Sequence, residues 1–265
     1  MEVDTLKIFA NANAALKIIG SVKKFNSKKN LILDARKSGD YEKEREILGY
    51  YTDIWVKGLI EDLDITLLVK GQENIPEGPC VFISNHQSYC DVFAIISGLN
   101  GKPAGFIAKE DLKKVPYFGK WIEIIRGLFI PRGNPRESIK VIKQGAQYIK
   151  DGFSMVIFPE GKRSKCGQMN SFKPGSFKLA TMASVPIVPI AVDGGYKAFE
   201  ETGKYTPGQT IKMVICEPVE TKGLDRNQLK EIPRQVESII GETLKNIQSD
   251  DITFENKIKE EQNDN

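Results

Sequence analysis

The segment CVFISNHQSYCDVFAIISGL, residues 80–99, decides the fold because it joins two kinds of secondary structure through a short polar loop. Residues 80–84 form a short apolar run that is typical of a buried strand. Residues 91–98 are typical of a helix that begins directly after the loop. A strand that leads into a helix in this way is the repeating unit of α/β proteins.

The same alternation continues on both sides of this segment. Further apolar runs are typical of strands and cover residues 65–69, 155–158, 187–192 and 211–216. A helical pattern occupies residues 135–150, and a terminal helix is expected over residues 227–247. We therefore predict a single α/β domain over residues 64–247, with a central mixed sheet flanked by helices. A polar tail, residues 248–265, follows it.

Residues 1–63 are predicted to form a helical pair ahead of this domain. In the first helix, apolar side chains recur at spacings of three and four residues, at Ile8, Ala12, Ala15, Ile19 and Val22. Residues 1–30 also contain six lysines and two acidic residues. Two interpretations stay open: a helix packed on the body of the protein, or an amphipathic helix that lies on a membrane surface.

The composition excludes several classes of protein. Hydrophobic residues make up 40% of the chain and charged residues 28%, which is the balance of an ordinary globular protein. The longest stretch without Asp, Glu, Lys or Arg covers only residues 179–192, whereas a membrane-spanning helix needs about 20 apolar residues. Glu2 and Asp4 are not typical of a signal peptide. We therefore expect peripheral or monotopic contact with the cytoplasmic face of a membrane. The four cysteines lack CxxC spacing and are expected to be reduced thiols.

The charge is small in total but uneven along the chain. The formal net charge is +3, yet residues 102–143 contain ten basic against four acidic residues, and residues 161–178 contain five basic residues and no acid. The segment from residue 214 to the end has seven basic and twelve acidic residues. A basic middle region favours an anionic substrate or an anionic lipid surface. Nucleic acid is less favoured because no motif of a nucleic-acid-binding module is present.

His86 is the only histidine in the chain, which excludes a multi-histidine metal site, and no cysteine cluster offers an alternative. We expect neither a metal nor a cofactor. The spacing HxxxxD brings His86 and Asp91 together if His86 lies in the loop and Asp91 in the first helical turn. Asp91 then accepts a hydrogen bond from Nδ1 and leaves Nε2 to take a proton. Alternatively, Ser88 and Asp91 form a helix-capping box.

A second polar motif, Phe158-Pro159-Glu160-Gly161-Lys162-Arg163-Ser164, also follows a predicted strand. An arginine side chain can bind a phosphate group through two hydrogen bonds, and a carboxylate can hold a hydroxyl group or orient that arginine. Glu160 and Arg163 are therefore candidate binding residues. The alternative is that these two side chains form an ion pair on the surface.

These motifs resemble the glycerophospholipid acyltransferase family, which includes the bacterial 1-acyl-sn-glycerol-3-phosphate acyltransferases, also called lysophosphatidic acid acyltransferases. The resemblance covers residues 62–216. The family motif NHxxxxD corresponds to Asn85, His86 and Asp91, and FPEGTRS corresponds to residues 158–164, with Lys162 in place of threonine. Residues 185–190 match the family's VPIVPI-type motif.

A further family motif, GxxFIDR, is matched only in part. Residues 127–132 read GLFIPR, so Pro131 replaces the family's acidic residue and the glycine lies one position nearer to Arg132. Lys109 is similar to another basic position of the family. The resemblance implies that Arg132, Glu160, Gly161, Arg163 and Lys109 bind the substrate.

The resemblance also implies the reaction. A fatty acyl group would pass from a thioester donor, either acyl-CoA or acyl carrier protein, to the sn-2 hydroxyl group of 1-acyl-glycerol 3-phosphate, giving phosphatidic acid. His86 would remove the hydroxyl proton, and the substrate oxygen would be the nucleophile. Alternatives are an acceptor such as glycerol 3-phosphate or a lysophospholipid, a noncatalytic lipid-surface protein of the same fold, or a soluble enzyme acting on phosphorylated metabolites.

Overall fold

A computed structural model describes residues 12–131 and 133–254. In these ranges, seven strands form one sheet in the order β1-β7-β6-β2-β5-β3-β4. The strands are β1 (Ile65–Lys70), β2 (Val81–Ser84), β3 (Ala104–Lys109), β4 (Leu128–Ile130), β5 (Ser154–Ile157), β6 (Ile187–Asp193) and β7 (Gln209–Ile215).

The described residues form eight α-helices, and short 3-10 turns lie between some of the elements. The helices are α1 (Ala12–Asn26), α2 (Lys29–Ser38), α3 (Tyr41–Asp62), α4 (Cys90–Gly98), α5 (Phe118–Ile124), α6 (Pro135–Lys150), α7 (Lys178–Ala183) and α8 (Arg226–Gln248). No helix in the described ranges is both long enough and apolar enough to cross a membrane.

The direction of the strands decides where a site can form. Every pair of neighbouring strands is parallel except β6 and β7, which are antiparallel. The predicted mixed sheet is therefore confirmed. Strands β2 to β6 all run the same way, so the loops that follow them emerge at one edge of the sheet. Ligand sites of α/β proteins gather at this carboxyl edge.

The core consists of two apolar layers, one on each face of the sheet. Side chains of β2 alternate between them: Phe82 joins the layer that contains the N-terminal helices and α4, whereas Val81 and Ile83 join the layer that contains α6 and α8. All three side chains are completely buried. This alternation follows from the pleat of a strand, whose successive side chains point to opposite faces.

The N-terminal region contains three described helices and not the expected pair. The polar break at residues 37–40 ends α2, where Gly39 adopts a left-handed conformation with φ of 74° that suits glycine. In α1, Ala15 and Val22 are buried against the body. The described part of the apolar stripe is therefore a packing face, while Ile8 and the side chain of Ala12 lie outside the described residues. Leu16 lies on the outer face of α1, away from the body of the protein, and is 67% exposed.

Strands β3 and β4 and helices α5 and α7 were not predicted from the sequence. Strand β4 has only three residues, and β3 is interrupted by Gly105, so neither produces a long apolar run. Gly105 is required by tertiary structure, because a Cβ atom there would lie 2.2 Å from the carbonyl oxygen of Arg126. The prolines of the 185–190 segment do not end the strand, and Pro189 lies inside the central strand β6.

A buried charge cluster fixes the N-terminal helices to the turn between α5 and β4. Glu44 of α3 is completely buried and accepts hydrogen bonds from both Arg126, 2.5 and 2.8 Å away, and Arg36, 2.8 Å away. The Arg126 guanidinium also lies 4.5–5.3 Å from three aromatic rings, those of Tyr41, Tyr148 and Phe153. Burial of these charges is tolerated because each is paired.

Replacement of Glu44 should therefore destabilise the fold strongly. We expect Glu44→Ala to lower the free energy of unfolding by about 3–5 kcal/mol, because it leaves the buried Arg126 charge without its carboxylate. Urea unfolding followed by circular dichroism measures the change. Glu137→Ala is the matched control, since it removes an exposed pair with Lys140 and should cost less than about 1 kcal/mol. Equal losses in the two variants would contradict this account of the cluster.

Candidate active site

His86 lies in the loop between β2 and α4, at the carboxyl edge of the sheet. Two neighbouring side chains attach this loop to β6 and to the turn that follows it. The Asn85 amide donates to the carbonyl oxygen of Val192 and accepts from its N–H, both at 2.8 Å. The side-chain amide oxygen of Gln87 accepts from the N–H of Gly194 at 3.1 Å. These buried bonds hold the loop in place.

Asp91 orients both the ring of His86 and the backbone of its loop. His86 Nδ1 lies 2.9 Å from Asp91 Oδ2, and the same oxygen accepts from the N–H groups of Gln87 and Ser88 at 2.6 and 2.8 Å. Asp91 thus pairs with His86. The predicted capping box forms only in part, because Asp91 accepts from the N–H of Ser88 whereas the Ser88 hydroxyl accepts from the N–H of Cys90. A carboxylate accepts from Nδ1–H, which leaves Nε2 unprotonated in the neutral ring.

Glu160 supports the same loop from the end of β5. Its side chain is buried, and one oxygen accepts from the backbone N–H of His86 at 2.7 Å. The other oxygen accepts from the backbone and side-chain N–H groups of Asn170, at 2.9 and 2.6 Å. Burial raises the pKa of Glu160, and the bonds from Asn170 and His86 oppose that rise. Phe158 stacks on the imidazole with ring centres 3.9 Å apart.

Arg163 does not pair with Glu160. Its guanidinium lies 2.6 Å from the carboxylate of Glu200 and stacks over the ring of Tyr89, 3.5 Å from the ring centre. Glu200 is 37 residues further along the chain, in the turn after β6, and sequence reasoning missed it. Burial raises the pKa of Glu200, while the Arg163 charge lowers it.

The remaining candidates lie around one cavity of about 1170 Å³. His86, Lys109, Glu160, Gly161 and Arg163 all line it. Arg132 lies outside the described residues. The structure therefore brings four of the five predicted substrate-binding residues to the cavity that His86 lines.

The lining of the cavity combines two chemically different groups of side chains, which are called here its apolar end and its basic end. One end is apolar and is lined by side chains of α1, α4 and α5, including Ile18, Phe93, Phe118 and Trp121. The other end is basic and is lined by Lys162, Arg163, Lys165 and Lys173. A cavity with this division suits a ligand that has a long apolar part and an anionic group.

Two structural features bear on other chemistry near His86. Cys90 lines the cavity, but burial raises the pKa of its thiol to about 12, so a thiolate nucleophile is disfavoured. All four cysteines are free thiols, as expected. Within the described ranges, no cluster of His, Cys, Asp or Glu has the arrangement of a metal site.

Comparisons with known proteins identify the family. Residues 66–193 match the family model named Acyltransferase. The chain is 36% identical to the 1-acyl-sn-glycerol-3-phosphate acyltransferase of Pseudomonas aeruginosa, over 73% of this chain and 74% of that protein. This chain belongs to the acyltransferase family. The matched residues contain both the His86–Asp91 pair and the Glu160 loop.

Two further known proteins are similar to this acyltransferase, one in sequence and one in fold. A chloroplast 1-acyl-sn-glycerol-3-phosphate acyltransferase from Brassica napus is 36% identical over 57% of this chain, which spans 44% of that longer protein. The crystal structure of the 1-acyl-sn-glycerophosphate acyltransferase PlsC from Thermotoga maritima superimposes with a TM-score of 0.69 at 25% identity. The superposition covers 90% of this chain and 97% of the Thermotoga maritima chain. The N-terminal helices are thus part of the shared fold.

The hydrogen bond between Asp91 and His86 predicts a particular tautomer. Because His86 is the only histidine, histidine labelled with ¹⁵N reports this one ring in the intact acyltransferase. At a pH where the ring is neutral, we expect the proton on Nδ1. In Asp91→Asn the fraction of rings protonated on Nε2 should rise, because the charged acceptor is gone. A wild-type ring protonated mainly on Nε2 would refute the assigned bond.

Gly195→Ala tests the same bond without altering either partner. A Cβ at position 195 would lie 2.4 Å from Asp91 Oδ1, so the carboxylate must move. We expect the same change of tautomer as in Asp91→Asn. Gly58→Ala is the matched control, because no atom lies within 4 Å of the added Cβ. A wild-type spectrum for Gly195→Ala would show that the carboxylate keeps its contact with His86.

Proposed function

We propose that this chain is a 1-acyl-sn-glycerol-3-phosphate O-acyltransferase. It moves a fatty acyl group from a thioester donor to the sn-2 hydroxyl group of 1-acyl-glycerol 3-phosphate and releases phosphatidic acid. The observation that carries this proposal is the Asp91–His86 pair at 2.9 Å, placed in a cavity with one apolar and one basic end. The names of the relatives agree with this activity.

His86 is the general base of the proposed reaction. Asp91 holds Nδ1, so Nε2 is the ring nitrogen that remains to accept the proton of the acceptor hydroxyl group. The oxygen of that group then attacks the carbonyl carbon of the thioester. The acyl–sulfur bond breaks, and the proton on His86 passes to the thiolate that leaves.

Direct transfer between two bound substrates agrees with the side chains near His86. The imidazole is paired with a carboxylate and stacked on Phe158, and the Cys90 thiol has a raised pKa. Within the described residues, no serine hydroxyl or cysteine thiol is hydrogen-bonded to the ring of His86. The acceptor hydroxyl group therefore serves as the nucleophile, and positioning of both substrates supplies much of the rate.

The basic end of the cavity is the proposed site for the acceptor phosphate. Arg163 and Lys109 line the cavity and supply positive charge, the family resemblance implies the same role for Arg132, and Gly161 allows close approach to the backbone. Glu200 orients the Arg163 guanidinium, whose remaining N–H groups can bind phosphate oxygens. Glu160 has both oxygens bonded to protein donors, so its part is to hold the His86 loop around the substrate. The apolar end receives acyl chains, and the donor carrier is acyl-CoA or acyl carrier protein.

Loss of the base should remove activity and leave the fold intact. We expect His86→Ala to reduce transfer from acyl-CoA to 1-acyl-glycerol 3-phosphate by about 10²–10⁴-fold, because a placed base contributes on that scale. The melting temperature should stay near that of the wild type. Asp91→Asn should reduce both rate and stability, since Asp91 also accepts two backbone N–H groups. If His86→Ala keeps more than a few per cent of activity, His86 is not the base.

We further propose that α1 and the segment around Tyr117 contact an anionic membrane surface. Leu16 is 67% and Tyr117 42% exposed, although both are large apolar side chains. Lys23 lies 4.8 Å from the Tyr117 ring centre, so basic and apolar groups are mixed at this surface. Ala14 and Ile18 of the same helix line the apolar end of the cavity, which gives an acyl chain a short path from the bilayer.

Vesicle co-sedimentation tests this membrane surface with single substitutions. Deletion of the N-terminal region is unsuitable because Val22 and Phe25 belong to the core. We expect Leu16→Ser to weaken binding to vesicles that contain anionic lipid, and wild-type binding to decrease with salt without vanishing. Ile139→Ser is the control, since Ile139 is similarly exposed, at 49%, on α6. Equal weakening in both variants would reject α1 as the contact surface.

A further inference from the structure

We propose that Lys173 is a phosphate-binding residue of the active site, and that its ammonium group contacts the phosphate monoester of the acceptor. Lys173 is not among the site residues predicted from the sequence. The inference rests on the proposed function, because it assigns a ligand to the basic end of the same cavity.

The first support is the position of the Lys173 ammonium group. It lies against the bare backbone of Gly161, since a Cβ atom built there would be 2.5 Å from Lys173 Nζ. Gly161 has a φ of 68°, so glycine is favoured at this position for the backbone as well as for the space. Gly161 directly follows Glu160, which holds the backbone of His86. The ammonium group is therefore placed one peptide from the residue that supports the base.

The second support is the way in which the backbone of Lys173 is held. Its N–H donates to the carbonyl oxygen of Pro159 at 3.0 Å, which ties residue 173 to the start of the Glu160 loop. The neighbouring Phe172 is buried, and its N–H donates to Glu237 of α8 at 3.1 Å. Asn170, three residues earlier, is bonded to Glu160. The segment that carries Lys173 is thus held by hydrogen bonds both to the Glu160 loop and to α8.

The third support is charge. Residues 161–178 contain five basic residues and no acid, so this segment produces a positive potential at the cavity. Arg163 is compensated by Glu200 at 2.6 Å. Lys173 lines the cavity and is exposed, and among the described residues no carboxylate forms a salt bridge with it. Its charge is therefore available to an anionic ligand.

The geometry of the acceptor favours its phosphate as that ligand. In 1-acyl-glycerol 3-phosphate the phosphate is only a few bonds from the sn-2 hydroxyl group. When this hydroxyl group is at His86, its phosphate is within reach of the loops around His86, and the Glu160 loop is one of them, since Glu160 accepts from the N–H of His86. The phosphates of a CoA donor offer the same chemistry, but they are separated from the thioester by the pantetheine arm.

Steady-state kinetics of three variants test the assignment. We expect Lys173→Met to raise KM for the acceptor by about 10–100-fold, as for loss of a charged hydrogen bond, with a small effect on KM for acyl-CoA. Lys173→Arg should restore most of the loss, because it restores the charge. Lys178→Met is the matched control, since Lys178 is an exposed lysine of the same basic segment that does not line the cavity. It should behave as the wild type.

A binding measurement with the acceptor alone, in which no acyl transfer can occur, separates this inference from the proposed function. Calorimetry with a short-chain, water-soluble 1-acyl-glycerol 3-phosphate, without donor, should show binding to the wild type and to Lys178→Met. Lys173→Met should bind it more weakly, by a factor similar to the expected rise in KM for the acceptor. Binding that depends on Lys173 in a protein that transfers no acyl group would support the inference and reject the proposed function.

Three results would overturn the inference. They are an acceptor KM for Lys173→Met within twofold of the control, a rise in KM for acyl-CoA alone, and wild-type protein that does not bind the short-chain phosphate. A rise in acceptor KM that Lys173→Arg fails to restore would indicate a structural role for the side chain instead.

Discussion

One carboxylate oxygen, Oδ2 of Asp91, organises the centre of this protein. It accepts from the ring of His86 and from the N–H groups of Gln87 and Ser88. The first bond fixes which nitrogen of the imidazole faces the substrate, and the other two fix the loop that carries the imidazole. A single buried group therefore sets both the chemistry of the base and its position. Because Asp91 is completely buried, the removal of any of these donors leaves its charge with fewer hydrogen bonds and no water to replace them.

The sheet provides the frame that makes this arrangement possible. Strands β2 to β6 are oriented alike, so the His86 loop, the Glu160 loop and the turn after β6 meet at one edge. The Glu160 loop and the end of β6 with its turn are both hydrogen-bonded to the His86 loop. Glu160 accepts from the N–H of His86. The Asn85 side chain bonds to the backbone of Val192, and the Gln87 side chain accepts from the N–H of Gly194. Hydrogen bonds from polar side chains connect these loops, whereas backbone hydrogen bonds connect the strands within the sheet. The site is thus attached to the strands that support it.

The cavity extends from this rigid edge to the N-terminal helices, which are held in a different way. Glu44, Arg36 and Arg126 join α2 and α3 to the turn before β4 through paired, buried charges. That turn leads into Ile130 and Pro131, which line the cavity. The position of the apolar end relative to His86 therefore depends on a charge cluster remote from the chemistry. An enzyme that acts on a lipid needs this connection, because its acyl chains and its reacting group must be placed together.

The sequence alone determined the fold class, most strands and the pairing of His86 with Asp91, because these depend on local patterns. Apolar runs specify buried strands, and a histidine before a helix can reach an aspartate in its first turn. Tertiary structure decided what local patterns do not encode. The partner of Arg163 is Glu200, 37 residues away, and Glu160 supports a loop and not Arg163. The short strand β4 exists because β3 provides its hydrogen-bond partners. The stripe on α1 was ambiguous by itself, since an apolar face packs equally well on a protein or on a lipid surface. Contact with the body buries Ala15 and Val22, because folding brings α3 and α5 alongside α1.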